Sequence, residues 1–304
     1  MCDIQKFKGI IPAFYACYDD TGVVSPARTK EMALYLINKG VKGLYVCGSS
    51  GECIYLSKEE RKLILENVME VAKGKITVIA HVACNNTADS MELAAHAESL
   101  GVDAIAAIPP IYFKLPEHAI AAYWNDISSA APNTDFIIYN IPQLAGTALT
   151  LTLLRRMLEN PRVAGIKNSS MPTQDIQMFK DEVGENRVIF NGSDEQLVSG
   201  LVIGADGGIG GTYAVMPELY LAIFDAVNRG DIKRANQIQN DADRIIYRMC
   251  SCHGNLYAVM KEIIKQRDGV NAGGVRAPLA SLIEDDMPIV DECKAMIQEA
   301  IARL

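Results

Sequence analysis

What most constrains this 304-residue chain is an alternation repeated eight times: a short apolar run, then a stretch with apolar residues at helical spacing. Runs this short and this continuously apolar read as strands buried on both faces, the pattern of a parallel sheet covered by helices. They lie at Lys8–Phe14, Gly43–Cys47, Thr77–His81, Ala104–Ile108, Phe136–Tyr139, Gly165–Lys167, Val188–Asn191 and, more briefly, near Gly207–Ile209. Between them, Ser25 and Pro26 open a helix that ends near Lys39–Gly40. Ser57 and Glu60 form a capping box ahead of Leu63, Ile64, Val68 and Val71. Further helices are expected at 87–100, 116–131, 150–160, 173–183, 195–203 and 217–229. An interval of roughly 20 to 35 residues per strand–helix unit fits a (β/α)₈ barrel better than an open sheet. The first strand–helix turn carries no dinucleotide fingerprint, which points the same way.

From about Asp231 the alternation stops. Helical stretches follow at 231–251, 255–267 and 287–303, with the loop Gly269 to Pro278 between the last two. Residues 1–230 therefore read as an α/β barrel of the TIM type, and 231–304 as a three-helix C-terminal extension. No charge run or low-complexity linker separates the two.

A formal charge of -8 argues against a nucleic-acid partner, and no apolar stretch reaches membrane-span length. The first residues enter folded-looking sequence with no signal-peptide core, so a cytoplasmic protein is expected. Cys2, Cys17, Cys47, Cys53, Cys84, Cys250, Cys252 and Cys293 read as reduced, mostly buried thiols. Cys250-Ser251-Cys252-His253 lacks the second ligand pair of a structural zinc site. His81 reads as a satisfied strand-end histidine, His96 and His118 as surface residues.

In a barrel, chemistry comes from the C-terminal ends of the strands and the loops just after them. Lys167 closes the sixth strand, where burial disfavours its charge and favours use as a nucleophile. Tyr139 closes the fifth and is placed to move protons. After the second strand, the glycines, hydroxyls and N–H groups of Gly48-Ser49-Ser50-Gly51-Glu52 suit a carboxylate or a phosphate, or form an ordinary polar turn. Tyr112 follows the fourth strand. Asp194 and Glu195 follow the seventh, where they either meet substrate hydroxyls or complement a helix dipole. After the eighth, Gly207 to Tyr213 is glycine-rich enough for close ligand approach. With no metal cluster or nucleotide motif, Schiff-base chemistry on a 2-oxo acid is the natural inference.

Gly48-Ser49-Ser50-Gly51-Glu52, Tyr139-Asn140-Ile141-Pro142 and Gly165-Ile166-Lys167 resemble the signatures of the N-acetylneuraminate lyase and dihydrodipicolinate synthase superfamily. The likeness extends to Ile79–Val82 and Gly204–Gly210, covering essentially the whole chain. It implies a pyruvate-dependent class I aldolase on a barrel with a helical extension, a homotetramer that needs no cofactor beyond the covalent Schiff base on Lys167. By the same resemblance, Tyr139 transfers protons and Ser49 and Ser50 hold the pyruvate carboxylate. Tyr112 joins the proton relay, in the family often across a subunit interface. Ser169, Gly192, Asp194, Glu195, Gly210 and Gly211 line the substrate site.

The synthase branch places an arginine shortly after its Tyr-Asn-Val-Pro motif. Here that neighbourhood is Gln143-Leu144-Ala145-Gly146, without a cation, and Gly192-Ser193-Asp194-Glu195 matches the lyase branch. Two departures stand out: Gly211 where sialic acid lyases commonly carry serine, and Ser50 where threonine is usual. The expected reaction is retro-aldol cleavage of N-acetylneuraminate to pyruvate and N-acetylmannosamine. The alternatives are an aldolase for another 2-keto-3-deoxy sugar acid and a non-catalytic pyruvate-binding sensor.

Overall fold

The computed structural model describes residues 3–304, so Cys2 lies outside the described residues. Eight parallel strands alternate with helices: β1 Gly9–Pro12, α1 Pro26–Asn38, β2 Gly43–Val46, α2 Lys58–Ala72, β3 Thr77–His81, α3 Thr87–Leu100, β4 Ala104–Ala107 and α4 Glu117–Ala130. Then come β5 Asp135–Asn140, α5 Pro142–Ala145, α6 Leu151–Leu158, β6 Val163–Asn168, α7 Gln174–Val183, β7 Val188–Asn191, α8 Leu197–Val202, β8 Gly207–Gly210 and α9 Pro217–Asn228. The extension holds α10 Ile232–Met249, α11 Leu256–Asp268 and α12 Met287–Ala302. The strand order runs β1-β8-β7-β6-β5-β4-β3-β2. The remaining seam closes through the Phe14 N–H donating to the Tyr45 carbonyl and the Lys42 N–H to the Ile10 carbonyl, each at 2.9 Å. The expected barrel is present.

Period-two geometry divides the apolar residues into two layers. Ile11, Tyr45, Ile79, Ile137, Tyr139 and Phe190 belong to a cluster that fills the barrel. Ile10, Leu44, Val46, Val78, Ile138 and Ile166 belong to a larger cluster facing the helices. That outer layer runs without a break into the extension, through Ile238, Ile245, Met260, Ile264, Val290 and Ile297. Burying side chains of this size contributes about 1.5–3 kcal/mol each relative to exposure. Phe7, fully buried, meets Phe190 edge-on at 6.4 Å and stoppers the N-terminal end of the barrel.

The local signals operate as chemistry requires. The Ser25 hydroxyl accepts from the Arg28 N–H, and Gly40 at φ 80° follows α1. Ser57 and Glu60 form the full capping box of α2. Two details differ from the periodicity reading. Pro142 at the first turn and Gly146 at φ 69° enclose a short helix, α5, between β5 and α6. The stretch 195–203 divides into a 3-10 turn, Asp194–Gln196, and the shorter α8.

The thiols are less uniformly buried than their apolar surroundings suggested. Cys17, Cys47 and Cys293 are buried, Cys53, Cys84 and Cys252 half-buried, and Cys250 exposed, all free. Among the described residues no helix is long and apolar enough to cross a membrane.

Candidate active site

Lys167 and Tyr139 are direct cross-strand partners on β6 and β5. An irregularity sets this up. Phe136 pairs with Val163, but Ile137 pairs with Gly165, so Ala164 is an extra residue in β6. Simple alternation from Ala164, which faces the barrel interior, would send Ile166 inward and Lys167 outward. The extra residue shifts the phase, so Ile166 packs outward and Lys167 enters the barrel, the re-aiming that a bulge produces. Gly165 is required there, because a Cβ would lie 2.1 Å from the Val188 carbonyl oxygen.

The residues that follow the pair lock it. Asn140 Nδ2 donates to Asn168 Oδ1 at 2.7 Å, and Asn168 Nδ2 donates to Ser170 Oγ at 2.9 Å. Ser170 Oγ donates to Asp175 Oδ2 at 2.7 Å, while Asn140 Oδ1 accepts from the Leu149 N–H. The side-chain polar atoms of Asn140, Asn168 and Ser170 are all paired in this run, which makes it rigid.

The amine of Lys167, a residue 4% exposed, lies 3.9 Å from the centre of the Tyr139 ring and 4.4 Å from that of Tyr45. The two rings meet edge to face at 5.7 Å. Burial depresses the lysine pKa to about 7, and the nearby Asp194 charge works against the shift. A substantial fraction of the amine is therefore neutral at physiological pH. Burial pushes the Tyr139 phenol up to about 12, with Ser49 and then Ser169 pulling the other way. The Ser169 hydroxyl makes no hydrogen bond of good geometry. Ser49 borders a cleft of about 570 Å³, shared with Cys53, Leu144 and Tyr257. His81 lies at the barrel's inner edge with Nδ1 3.0 Å from the Cys47 carbonyl. It is satisfied, and burial drives its pKa well below 6.5.

Asp194 is buried and held from one side. Its Oδ2 accepts from the Thr212 N–H at 2.6 Å and from the Thr212 hydroxyl at 2.7 Å. Burial raises its pKa to about 6 against those two bonds. Its Oδ1 occupies the volume above Gly210, where a Cβ would come within 2.0 Å. Gly192 is demanded in the same way by Ser169 Oγ, also 2.0 Å from where a Cβ would stand. Glu195, by contrast, is exposed. At Gly211 a Cβ would meet only Ser50 Oγ within 4 Å, at 2.9 Å, so the two departures noted in the sequence are neighbours.

Tyr112 stays apart from these residues within the chain. It is 91% exposed, at φ 83°, against the edge of Phe113. Among the described residues no group of three or more His, Cys, Asp or Glu side chains is arranged to hold a metal. His96 is half-buried and pairs with Glu66, and His118 is exposed.

Several residues that surround the Lys167–Tyr139 pair and the barrel mouth lay outside the sequence reading. Tyr45 hid inside a strand; the one available signal was a phenol in an otherwise apolar run. Tyr257 on α11 approaches Ser50, whose hydroxyl works against the burial that raises the Tyr257 pKa to about 12. Gln239 on α10 donates to the Asp194 carbonyl at 3.1 Å and accepts from the Val198 N–H at 3.2 Å. No spacing rule links α10 or α11 to the barrel mouth.

Comparison with known proteins agrees with this geometry. The Dihydrodipicolinate synthetase family matches residues 6–299. The chain is 63% identical over 300 residues to an N-acetylneuraminate lyase of Mediterraneibacter gnavus, covering 99% of this chain and 95% of that one. It is 34% identical over 294 residues to an N-acetylneuraminate lyase of Escherichia coli, covering 97% of each. Its fold superposes on a catalytic lysine mutant of Ruminococcus gnavus sialic acid aldolase with a TM-score of 0.99, at 62% identity, over 100% of this chain and 99% of that one. A lysine closing β6 opposite a tyrosine closing β5, on a barrel of this kind, thus has a family to which it answers: the chain belongs to the dihydrodipicolinate synthetase family.

Proposed function

We propose that the protein is an N-acetylneuraminate lyase, a class I aldolase that cleaves the open-chain sugar acid to pyruvate and N-acetylmannosamine. The observation that carries this is the buried Lys167 amine against the Tyr139 ring, its pKa lowered to about 7 by burial. The 63% identity to the Mediterraneibacter gnavus lyase supports the choice of substrate.

Neutral Lys167 attacks C2 of the substrate and forms a carbinolamine. Tyr139, protonated at rest because burial holds its pKa near 12, gives its proton to the departing C2 hydroxyl. Water leaves, an iminium remains, and Tyr139 is a phenolate beside a cation. The phenolate takes the C4 hydroxyl proton as the C3–C4 bond breaks. The bond's electron pair enters the iminium, giving an enamine, and the aldehyde sugar departs. Tyr139 returns the proton to C3, and water then adds to the iminium, its released proton passing to the Tyr139 phenolate, so that pyruvate leaves and both Lys167 and Tyr139 are restored. The iminium is the electron sink, so a cation must be tolerated at this buried position. The faces of the Tyr45 and Tyr139 rings tolerate it.

Ser49 and Ser50 hold the 2-oxo carboxylate, with Ser169 close to the reacting carbon. Gly192, Asp194, Glu195, Gly210 and Gly211 face the polyol tail. The exposed Tyr112–Phe113 pair suits burial against a second copy of the chain, so we infer a homotetramer in which Tyr112 reaches a neighbour's relay. Residues 1–230 form the catalytic barrel and 231–304 its extension, in a cytoplasmic enzyme. Its only covalent group is the Schiff base.

A coupled assay for pyruvate release over a panel of sugar acids tests the substrate. N-acetylneuraminate is expected to lead; a different 2-keto-3-deoxy sugar acid in first place would identify the other aldolase, consistent with Gly211. Release from none would mark a pyruvate-binding protein. Borohydride with pyruvate is expected to label Lys167, and a label elsewhere would overturn the mechanism.

A further inference from the structure

Glu52 closes the hydroxyl turn after β2, and its carboxylate is fully buried, as is the Lys261 amine that meets it. Lys261 sits on α11, in the C-terminal extension, 209 residues away in sequence. Lys261 Nζ donates to Glu52 Oε1 at 2.7 Å and to the Gly274 carbonyl at 2.7 Å. Glu52 Oε2 accepts from the Tyr18 hydroxyl at 3.1 Å and from the Arg276 N–H at 2.9 Å. Four segments converge on one carboxylate: the loop after β1, the turn after β2, α11 and the loop after α11.

Bringing an ion pair into the interior is a weak way to stabilise a fold, because desolvation offsets most of the attraction. Such a pair is retained where it specifies an arrangement. Here the arrangement is the backbone of Gly48–Glu52. Ser49 and Ser50 occupy a 3-10 turn, Ser49–Gly51, that ends on Glu52 itself at φ 54°, a left-handed conformation a non-glycine residue adopts only under constraint. Glu52 is therefore the peg on which the serine turn hangs. The same face of α11 presents Tyr257 to Ser50, and Met260, one residue before Lys261, contacts the Tyr15 hydroxyl that donates to the Gly211 carbonyl.

We propose that the Glu52–Lys261 pair is a positioning device for 2-oxo-acid binding: the extension, through Lys261, sets where the Ser49 and Ser50 hydroxyls stand relative to Lys167. This rests on the reading that Ser49 and Ser50 hold the substrate carboxylate. Neither Glu52 nor Lys261 touches the reacting atoms, so their effect is on pyruvate affinity and not on the identity of the nucleophile.

The test is borohydride trapping of the full-length chain titrated with pyruvate alone, which needs no sugar. The Glu52→Gln/Lys261→Met double variant removes both charges at nearly constant volume and avoids stranding one of them. It is expected to reach wild-type labelling of Lys167 at saturation, with the half-saturating pyruvate raised about 10- to 100-fold, the scale of an ångström misplacement. Lys261→Arg, which keeps the charge and changes its reach, is expected to give a smaller rise. A folded double variant or Lys261→Arg variant with the wild-type midpoint would overturn the proposal. So would failure of both to fold, since the pair would then serve folding itself. Failure of the functional reading is distinguishable: the wild type would then trap pyruvate without cleaving N-acetylneuraminate, or would trap none.

Discussion

Lys167 faces Tyr139 because β6 carries one residue more than β5 between the Phe136–Val163 and Ile137–Gly165 pairs. Were Ala164 paired with Ile137 in regular register, the same lysine would point at the helix layer. The bulge also needs Gly165, whose missing Cβ would sit 2.1 Å from the Val188 carbonyl oxygen. Gly165→Ala is expected to destabilise the protein by about 1–3 kcal/mol or more, the range for overpacking against an element that cannot yield. It should also lower kcat by about 100-fold through displacement of Lys167. Thermal unfolding and steady-state kinetics measure both; wild-type values would mean that the bulge does not set the aim of the lysine.

The Lys167 pKa of about 7 predicts two pH effects of known sign. Pyruvate labelling should rise with pH through about 7 and level off as the amine becomes neutral. Asp194 is the foremost charge favouring the ammonium, so Asp194→Asn should move that limb to lower pH. A limb moved upward would contradict the assignment.

Stability follows the same linkage. Between about 7 and the unfolded value near 10.5, the unfolded chain holds a proton that the folded one does not, so stability rises with pH across that window. Below about 7 the cost of burying the ammonium is present in full. Lys167→Met should therefore be more stable than wild type at pH 7, by on the order of 4 kcal/mol at most, and the gain should shrink toward pH 10.5. Denaturant titration at several pH values reads it; a gain independent of pH would locate the effect in packing.

Tyr139→Phe separates proton transfer from nucleophilic attack. The ring against the lysine survives and the phenol goes, so Lys167 should still be labelled with pyruvate but more slowly, since carbinolamine dehydration loses its acid, while cleavage falls by about 10²–10⁴-fold, the usual reach of a positioned acid–base group. Full activity in that variant would remove Tyr139 from the proton path.

The two glycines after Ile209 should respond in opposite ways. Gly210→Ala drives a Cβ to 2.0 Å from Asp194 Oδ1 and 2.5 Å from the Tyr213 ring, and should abolish activity. Gly211→Ser meets only the end of Ser50, at 2.9 Å, and should fold normally with a changed KM for the sugar acid. Thermal melts with a KM comparison distinguish them, and equal outcomes would contradict the geometry.

Much of this was legible in the residues. Strand and helix positions follow from local periodicity and capping, and Ser57–Glu60 and Ser25–Pro26 act as read. Lys167, Tyr139, Ser49 and Asp194 fall where strands end, and the barrel rule gathers strand ends at one mouth. Tyr112 is the exception: its loop carries it outward, and nothing within a single chain recovers it. Tyr45 was invisible as a site residue because a buried phenol in an apolar run looks like core.

By itself the sequence determined the alternation, the barrel, and which side chains could supply an amine, a phenol and hydroxyls, because these depend on contacts within a few residues. Only the tertiary structure decided which way Lys167 points, what surrounds its charge, and that α11 grips the serine turn through Glu52 and Lys261. The physical reason is range. A one-residue slip between two strands reverses a side chain's direction without altering either strand's composition, and an ion pair across 209 residues leaves no periodic trace.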